Sequence, residues 1–162
     1  MDMAMAHDTR ELSSMLVVGV NDYPHLMDGW HERTVDARNG VVHRAGGPEA
    51  RMQLALPAAG MEAAEGEAGR DPRRLHVLMS GPVGLMPGGR LLGTVTLGGV
   101  ATHPLELDMD AWVVRVFDIP GECAGGRLEV VLRLPDAPSP DALLRNGDAR
   151  RLGWYVSAAW VG

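Results

Sequence analysis

The chain has 162 residues, of which 46% are hydrophobic and 22% charged, enough for one well-buried core of ordinary composition. Its 15 basic residues are all arginine, set against 21 acidic ones for a net charge of −6. That excludes Schiff-base, P-loop-lysine and lysine general-base chemistry, and argues against a basic face for nucleic acid.

Residues 1–10 read as a flexible start. Met1 to Asp8 has neither the basic n-region nor the apolar h-region of a signal peptide, and the apolar run Met15 to Val20 is too short to span a bilayer. The single Cys123 cannot form an intramolecular disulfide, so a cytoplasmic chain without membrane contact is expected. Residues 11–162 then read as one domain, and Ser13 to Val20 is expected to open its sheets.

From there the dominant period is two. Arg51 to Leu56 alternates until Pro57, and Leu75, Val77 and Met79 alternate with His76, Leu78 and Ser80 until Gly81-Pro82. Leu91 to Leu97 stops at Gly98-Gly99, His103 to Met109 follows, and Ala111 to Ile119 ends at Pro120-Gly121. In Arg127 to Leu134, Leu128, Val130, Leu132 and Leu134 share one face. Arg150 to Val161 closes the chain with Leu152, Trp154, Val156, Ala158 and Trp160 on one parity, which predicts burial for Trp154 and Trp160. His31, Glu32 and His43 flank a hairpin. About eight short strands separated by Gly/Pro turns predict an all-β protein, an antiparallel β-sandwich of jelly-roll type.

Helix is scarce. Ser139 as N-cap with Pro140 at N1 predicts one short helical turn before Asn146-Gly147. Residues 57–74, with Arg70, Arg73 and Arg74 among Glu62, Glu65, Glu67 and Asp71, read as a solvated surface insertion. Between Met109 and Trp112 two registers compete. Either Val114 and Val116 point inward with Trp112, or Val113, Arg115, Phe117 and Ile119 do, and the second choice asks for a carboxylate beside Arg115.

No catalytic constellation emerges. Cys123 lies in a Gly-rich turn with no nearby His, and the serines stand outside any GxSxG context. The acidic pairs Asp108/Asp110 and Asp22/Asp28 are ordinary turn residues, with a structural calcium ion as the lesser reading. The histidines show no HxH, HExxH or HxxxH spacing, so no cofactor is expected. A metal-dependent sandwich enzyme would have to gather His31, His43, His76 and His103 from separate segments. Four of the seven aromatic residues are Trp (Trp30, Trp112, Trp154 and Trp160), and an exposed Trp can stack on the apolar face of a pyranose. Trp30, in the polar stretch Asp28-Gly29-Trp30-His31-Glu32-Arg33, is the exposed candidate. With it go the Arg/His-bearing positions His43, Arg51, His76 and Arg115 as candidate ligand-binding residues.

Three segments also point to a family. The first comprises Gly29-Trp30-His31-Glu32-Arg33 and Val41 to Leu54, with Gly47-Pro48-Glu49-Ala50 at its centre. The second comprises Gly93 to Leu97, Trp112 to Pro120 and Gly126 to Val130, and the third Ser139-Pro140 and Asp148 to Gly153. Together they resemble the jelly-roll, galactose-binding-like accessory domains of bacterial surface-polysaccharide proteins, which are often fused to glycosyltransferases. The chain departs from that pattern in carrying no transferase and in having Val42-His43-Arg44-Ala45 where an aromatic is usual. Within the pattern Asp148 is expected to pair with Arg150 or Arg151, and Gly153 to permit a close backbone approach. The resemblance implies a non-catalytic, carbohydrate-related accessory module, with a saccharide or a glycosyltransferase as partner. The alternative of a different class is a structural domain that self-associates as a homo-oligomer or docks on another protein.

Overall fold

Each apolar-alternating stretch forms a strand, because alternation puts one row of side chains against a core and leaves the other row wet. The computed structural model describes residues 12–57, 73–123 and 126–162. The expected flexibility of residues 1–10 and most of the 57–74 insertion lie outside those residues. Ten strands are present among them: β1 (Met15–Val17), β2 (Trp30–Val35), β3 (Val42–Gly46), β4 (Glu49–Leu56), β5 (Arg74–Ser80), β6 (Leu91–Leu97), β7 (Ala101–Leu107), β8 (Val113–Asp118), β9 (Gly126–Arg133) and β10 (Tyr155–Val161). Sheet A runs β2-β3-β10-β5-β8, with β1 also on β10, and sheet B runs β4-β9-β6-β7. Every pairing is antiparallel, so the fold is an all-β sandwich of jelly-roll type.

The two sheets share one core. Met52, Leu54, Leu128, Val130, Leu132, Val95 and Leu105 enter it from sheet B, and Leu16, Leu75, Val77, Met79, Phe117, Val156 and Ala159 from sheet A. Three short helical turns accompany the strands among the described residues: α1 (Asp22–His25), which contains the cis Tyr23–Pro24 peptide, a 3-10 turn at Val83–Leu85, and α2 (Pro140–Leu144). α2 is capped as expected, with the Ser139 hydroxyl accepting the Ala142 N–H at 3.2 Å.

Three expectations need correction. Trp154 is buried, but Trp160 is not a core residue. The β10–β5 register slips between Val156 and Ala158, so Ser157 is the extra residue of a bulge. Beyond it Ala159 turns inward, while Ala158 and Trp160 move to the outer face. In β8 the second register holds, with Phe117 buried and Val114 and Val116 exposed. Arg115 meets no carboxylate there. It sits on an edge strand, where its guanidinium reaches the Glu106 carbonyl at 3.3 Å and is not sealed from water. Trp30, expected to stand exposed in a polar stretch, begins β2 and is half-buried.

Trp154 plugs one end of the sandwich, its indole N–H donating to the Arg133 carbonyl at 2.9 Å. Around it the backbones of residues 46–47 and 153–154 touch: Gly153 N–H donates to Gly46 O at 2.6 Å and Gly46 N–H to Trp154 O at 2.8 Å. A Cβ on Gly153 would collide with the Gly47 carbonyl, and one on Gly93 with the Arg133 carbonyl, so both positions require hydrogen. Gly153→Ala is therefore expected to cost about 2–4 kcal/mol in a urea titration. Gly88→Ala, where nothing lies within 4 Å, should cost under about 0.5 kcal/mol. Equal losses at the two positions would show that the crossing has slack.

Candidate functional site

The segment between β1 and β2 builds a wall at the free edge of β4. Asn21 anchors it, its side-chain oxygen accepting the Val17 N–H at 2.7 Å and its amide donating to Met15 O at 2.9 Å. Asp22 receives the Arg44 guanidinium at 2.8 Å. His25 is fully buried, with Nε2 accepting the Ser13 N–H at 2.8 Å. That leaves its Nδ1–H to donate to Asn21 O at 2.9 Å. Met27 N–H then donates to Arg51 O, and Arg51 N–H to Asp28 O, which ties the segment to β4.

With the segment held from behind, Tyr23 is left pointing outward, 70% exposed. It stands at an open cleft of about 550 Å³. Pro24, Leu26, Met27 and Leu12 form the apolar part of the lining, and Gln53 and Arg127 the polar part. The polar pair is ordered: the Gln53 amide donates to Pro24 O at 2.9 Å, and Arg127 Nη1 donates to Gln53 Oε1 at 3.1 Å. A flat exposed ring, an apolar shelf and two donor groups can stack on and hydrogen-bond a small polyhydroxylated ligand.

A second surface is the outer face of sheet A. The β1, β10, β5 and β8 registers align Met15, Trp160, His76 and Val116 in one row, and Val17, Ala158, Leu78 and Val114 in the next. Trp160 and His76 stack with ring centroids 5.2 Å apart and planes 6° apart. Toward the other end His43 is packed between Trp112 and Tyr155, 5.1 Å from each. The Trp112 indole N–H donates to Asp36 at 3.0 Å, and Arg38 bridges Asp36 and Asp110. The Trp112 hydrogen bond, followed by those from Arg38, holds the Asp36 carboxyl well below the usual range, and Asp110 and Asp36 raise the Arg38 guanidinium. Burial pushes the Tyr155 phenol up to about 12.

The five candidate residues do not converge. His43 and His76 lie on the outer face of sheet A, within its two aromatic groups. Arg51 lies on the outer face of sheet B, bound to Glu49 at 2.8 Å and near Asp28 and Glu129. Arg115 lies at the β8 edge. Trp30 is half-buried, its indole N–H spent on Arg51 O at 2.7 Å, so it is not the exposed ring expected for it. None of the five lines the cleft. Its aromatic is Tyr23, whose signal was an aromatic before Pro in the polar run Asn21-Asp22-Tyr23-Pro24; attention to tryptophan passes over it.

The four histidines of the metal reading are spread as well. His31 bonds Arg151 O, His43 bonds Val41 O, His76 stacks on Trp160, and His103 meets Phe117 at a tilt of 40°. No three His, Cys, Asp or Glu among the described residues are grouped to hold a metal ion. Asp22 pairs with Arg44 and Asp110 with Arg38. Cys123 is buried, and burial raises its thiol pKa. Asp148 takes Arg150 at 2.6 Å, while Arg151 turns to the Ala137 and Pro135 carbonyls, which settles that expected pair.

No family model matches the chain, and no curated protein matches it in sequence. Among solved structures it is similar to the CBM35 carbohydrate-binding module from Cellvibrio japonicus Abf62, with TM-score 0.47, 13% identity and 91% of each chain covered. It is similar to a Xyl-CBM35 in complex with a glucuronic acid-containing disaccharide, with TM-score 0.48, 13% identity and 93% of each chain covered. It is also similar to part of an exo-beta-1,3-galactanase from Phanerochaete chrysosporium with beta-1,3-galactotriose, with TM-score 0.48 and 7% identity; the match covers 93% of this chain and 29% of that one. These are likenesses of outline, and the topology above defines the class: a jelly-roll β-sandwich with an aromatic-fronted cleft at one sheet edge.

The ion pair that closes the β10 approach has a pH signature. Arg150, chiefly through its hydrogen bond, lowers the Asp148 carboxyl from 3.8 to about 2. A depressed carboxyl stabilises the fold above its unfolded value, and that contribution disappears as pH falls from 3.8 to about 2. Thermal melts across this window should lose less stability for Asp148→Asn than for the parent. An identical acid limb would show that the pair contributes nothing to folding.

Proposed function

We propose that the domain is a non-catalytic carbohydrate-binding module that holds a saccharide in the Tyr23 cleft. The observation that carries this reading is the 70% exposed Tyr23 ring facing a cleft whose polar groups are the Gln53–Arg127 pair. A pyranose offers an apolar C–H face for the ring and hydroxyl groups for the amide and guanidinium donors. The surface-polysaccharide setting and the glycosyltransferase partner implied by the sequence resemblance belong to the same proposal. Oligosaccharides built from bacterial surface-polysaccharide repeats are the first ligands to screen. Tyr23→Ala should weaken binding roughly tenfold, equal to about 1.4 kcal/mol. Folding should be unchanged, because the ring supports no core contact. Calorimetry showing no saccharide binding by the parent chain would overturn the proposal.

A second reading is favoured by the apolar outer face of sheet A, where Met15, Val114 and Val116 are 47%, 47% and 48% exposed. The occupant we assign is a second copy of this chain. Each end of the face carries an exposed cation beside an exposed anion, Arg74–Asp118 at one end and Arg38–Asp110 at the other. A twofold axis parallel to the strands that runs between the cation and the anion at each end sets opposite charges of the two copies together. Four strands give a patch about 19 Å by about 13 Å, from strand spacing and rise. That is well under the roughly 800 Å² per partner of a stable interface. Self-association should accordingly be weak and concentration-dependent in sedimentation velocity, and Val116→Glu should abolish it. A monomer at every concentration removes the reading.

A further inference from the structure

The chemistry of the cleft narrows the kind of saccharide it suits, and this step rests on the reading of the cleft as a saccharide site. We infer that the ligand is an acidic sugar whose carboxylate pairs with the Arg127 guanidinium.

The contrast among the arginines of sheet B carries the inference. Arg51 is bound to Glu49 at 2.8 Å, with Asp28 and Glu129 within 4.0 Å, and Arg133 is bound to Glu49 at 3.1 Å. Arg127 lies on the same outer face, yet the partner it holds is neutral, the Gln53 side-chain oxygen at 3.1 Å. No carboxylate lines the cleft among the described residues. Glu129, the cross-strand neighbour of Gln53, leans toward Arg51 at 3.9 Å. A ligand carboxylate entering the cleft therefore meets a cation whose charge no described side chain neutralises.

Geometry adds direction to charge. The bond to Gln53 uses Nη1 of Arg127, and Gln53 is itself fixed by donating to Pro24 O at 2.9 Å. Among the described residues that leaves the Nε–Nη2 edge of the guanidinium open, the edge that grips a carboxylate through two parallel hydrogen bonds. Arg127 is exposed, so the pairing is screened by salt and serves selectivity more than total affinity. The protein's net charge of −6 disfavours anions in general, so a preference for one has to come from a local contact.

The test uses the full chain and pairs of methyl glycosides that differ only at C6: glucuronide against glucoside, and galacturonide against galactoside. Binding is followed by NMR titration at about 20 mM and about 300 mM salt. The acidic member of at least one pair should bind roughly tenfold more tightly at low salt, with the ratio shrinking at high salt. Arg127→Gln should bring the two members level, and Arg127→Lys should restore only part of the ratio, since it keeps the charge and loses the fork. Circular dichroism of each variant checks the fold. Equal binding of acidic and neutral members overturns the inference and leaves the saccharide reading standing. Absence of binding by all four glycosides and by their oligosaccharides overturns both. Inorganic phosphate competing as well as the uronides would show a general anion site, and that also overturns the assignment to an acidic sugar.

Discussion

Sheet A is assembled around the last strand of the chain. β10 pairs with β1, β3 and β5, and through β5 it carries β8, so strands far apart in sequence meet on it. The same strand brings Trp154 into the end of the sandwich, where its indole bonds the Arg133 carbonyl of sheet B. One segment thus supplies the centre of one sheet and a fixed contact to the other. Non-local pairing of this kind makes folding slow compared with a helical protein of equal size. It also makes the closing segment intolerant of change, and Gly153 shows why: the chain must pass against the Gly46–Gly47 backbone before β10 can start.

The consequences reach the surface through one extra residue. Had β10 run without its bulge at Ser157, Ala158 and Trp160 would share the parity of Val156 and lie in the core. The slip exchanges them for Ala159. A tryptophan is thereby released to the outer face, where it stacks on His76, and a small alanine fills the interior. Edge strand β8 extends the same face with Val114 and Val116. The apolar character of that face follows from register, and the Tyr23 cleft at the β4 edge depends on a different element, the α1 segment pinned by Asn21, Asp22 and His25.

Much of this was legible in the sequence because alternation is a local property. The strands β4, β5, β6 and β9 sit within a residue or two of the alternating runs, and the Ser139-Pro140 cap was readable from residue type alone. β2 and β3 were harder, since the Trp30–Val35 strand is exposed along most of its length and carries no clean alternation. The bulge could not be read, because two registers of β10 look equally amphipathic until β5 is placed beside it. The Tyr23 cleft was not readable for a related reason. Choosing Trp30 assumes that an aromatic among polar residues is exposed, but the ring lies against Gly46, which has no side chain to displace it, and Arg51 supplies a carbonyl for its indole N–H. Tyr23 became a surface group only because three side chains behind it anchor its backbone, and those contacts span the chain from Ser13 to Arg44.

An inventory with arginine and no lysine now has a structural meaning. Several guanidinium groups act as brackets on irregular backbone instead of as charges. Arg151 spans the Ala137 and Pro135 carbonyls at 3.0 and 2.7 Å, and Arg73 spans those of Pro57 and Cys123, each at 3.0 Å. Such carbonyls belong to Pro- and Gly-rich connections that have no ladder partner, so a planar group with fixed, divergent donors satisfies two of them at once. An ammonium on a flexible stem would supply the charge without the geometry. Other arginines fill the same fork with carboxylates, as Arg38 does between Asp36 and Asp110. Arg127 spends one nitrogen on an amide and, among the described residues, holds no other partner. A residue type used throughout the fold to close unsatisfied oxygens is, at that edge of sheet B, bonded to a neutral amide, and the proposed acidic ligand would supply the oxygens that the rest of its fork can take.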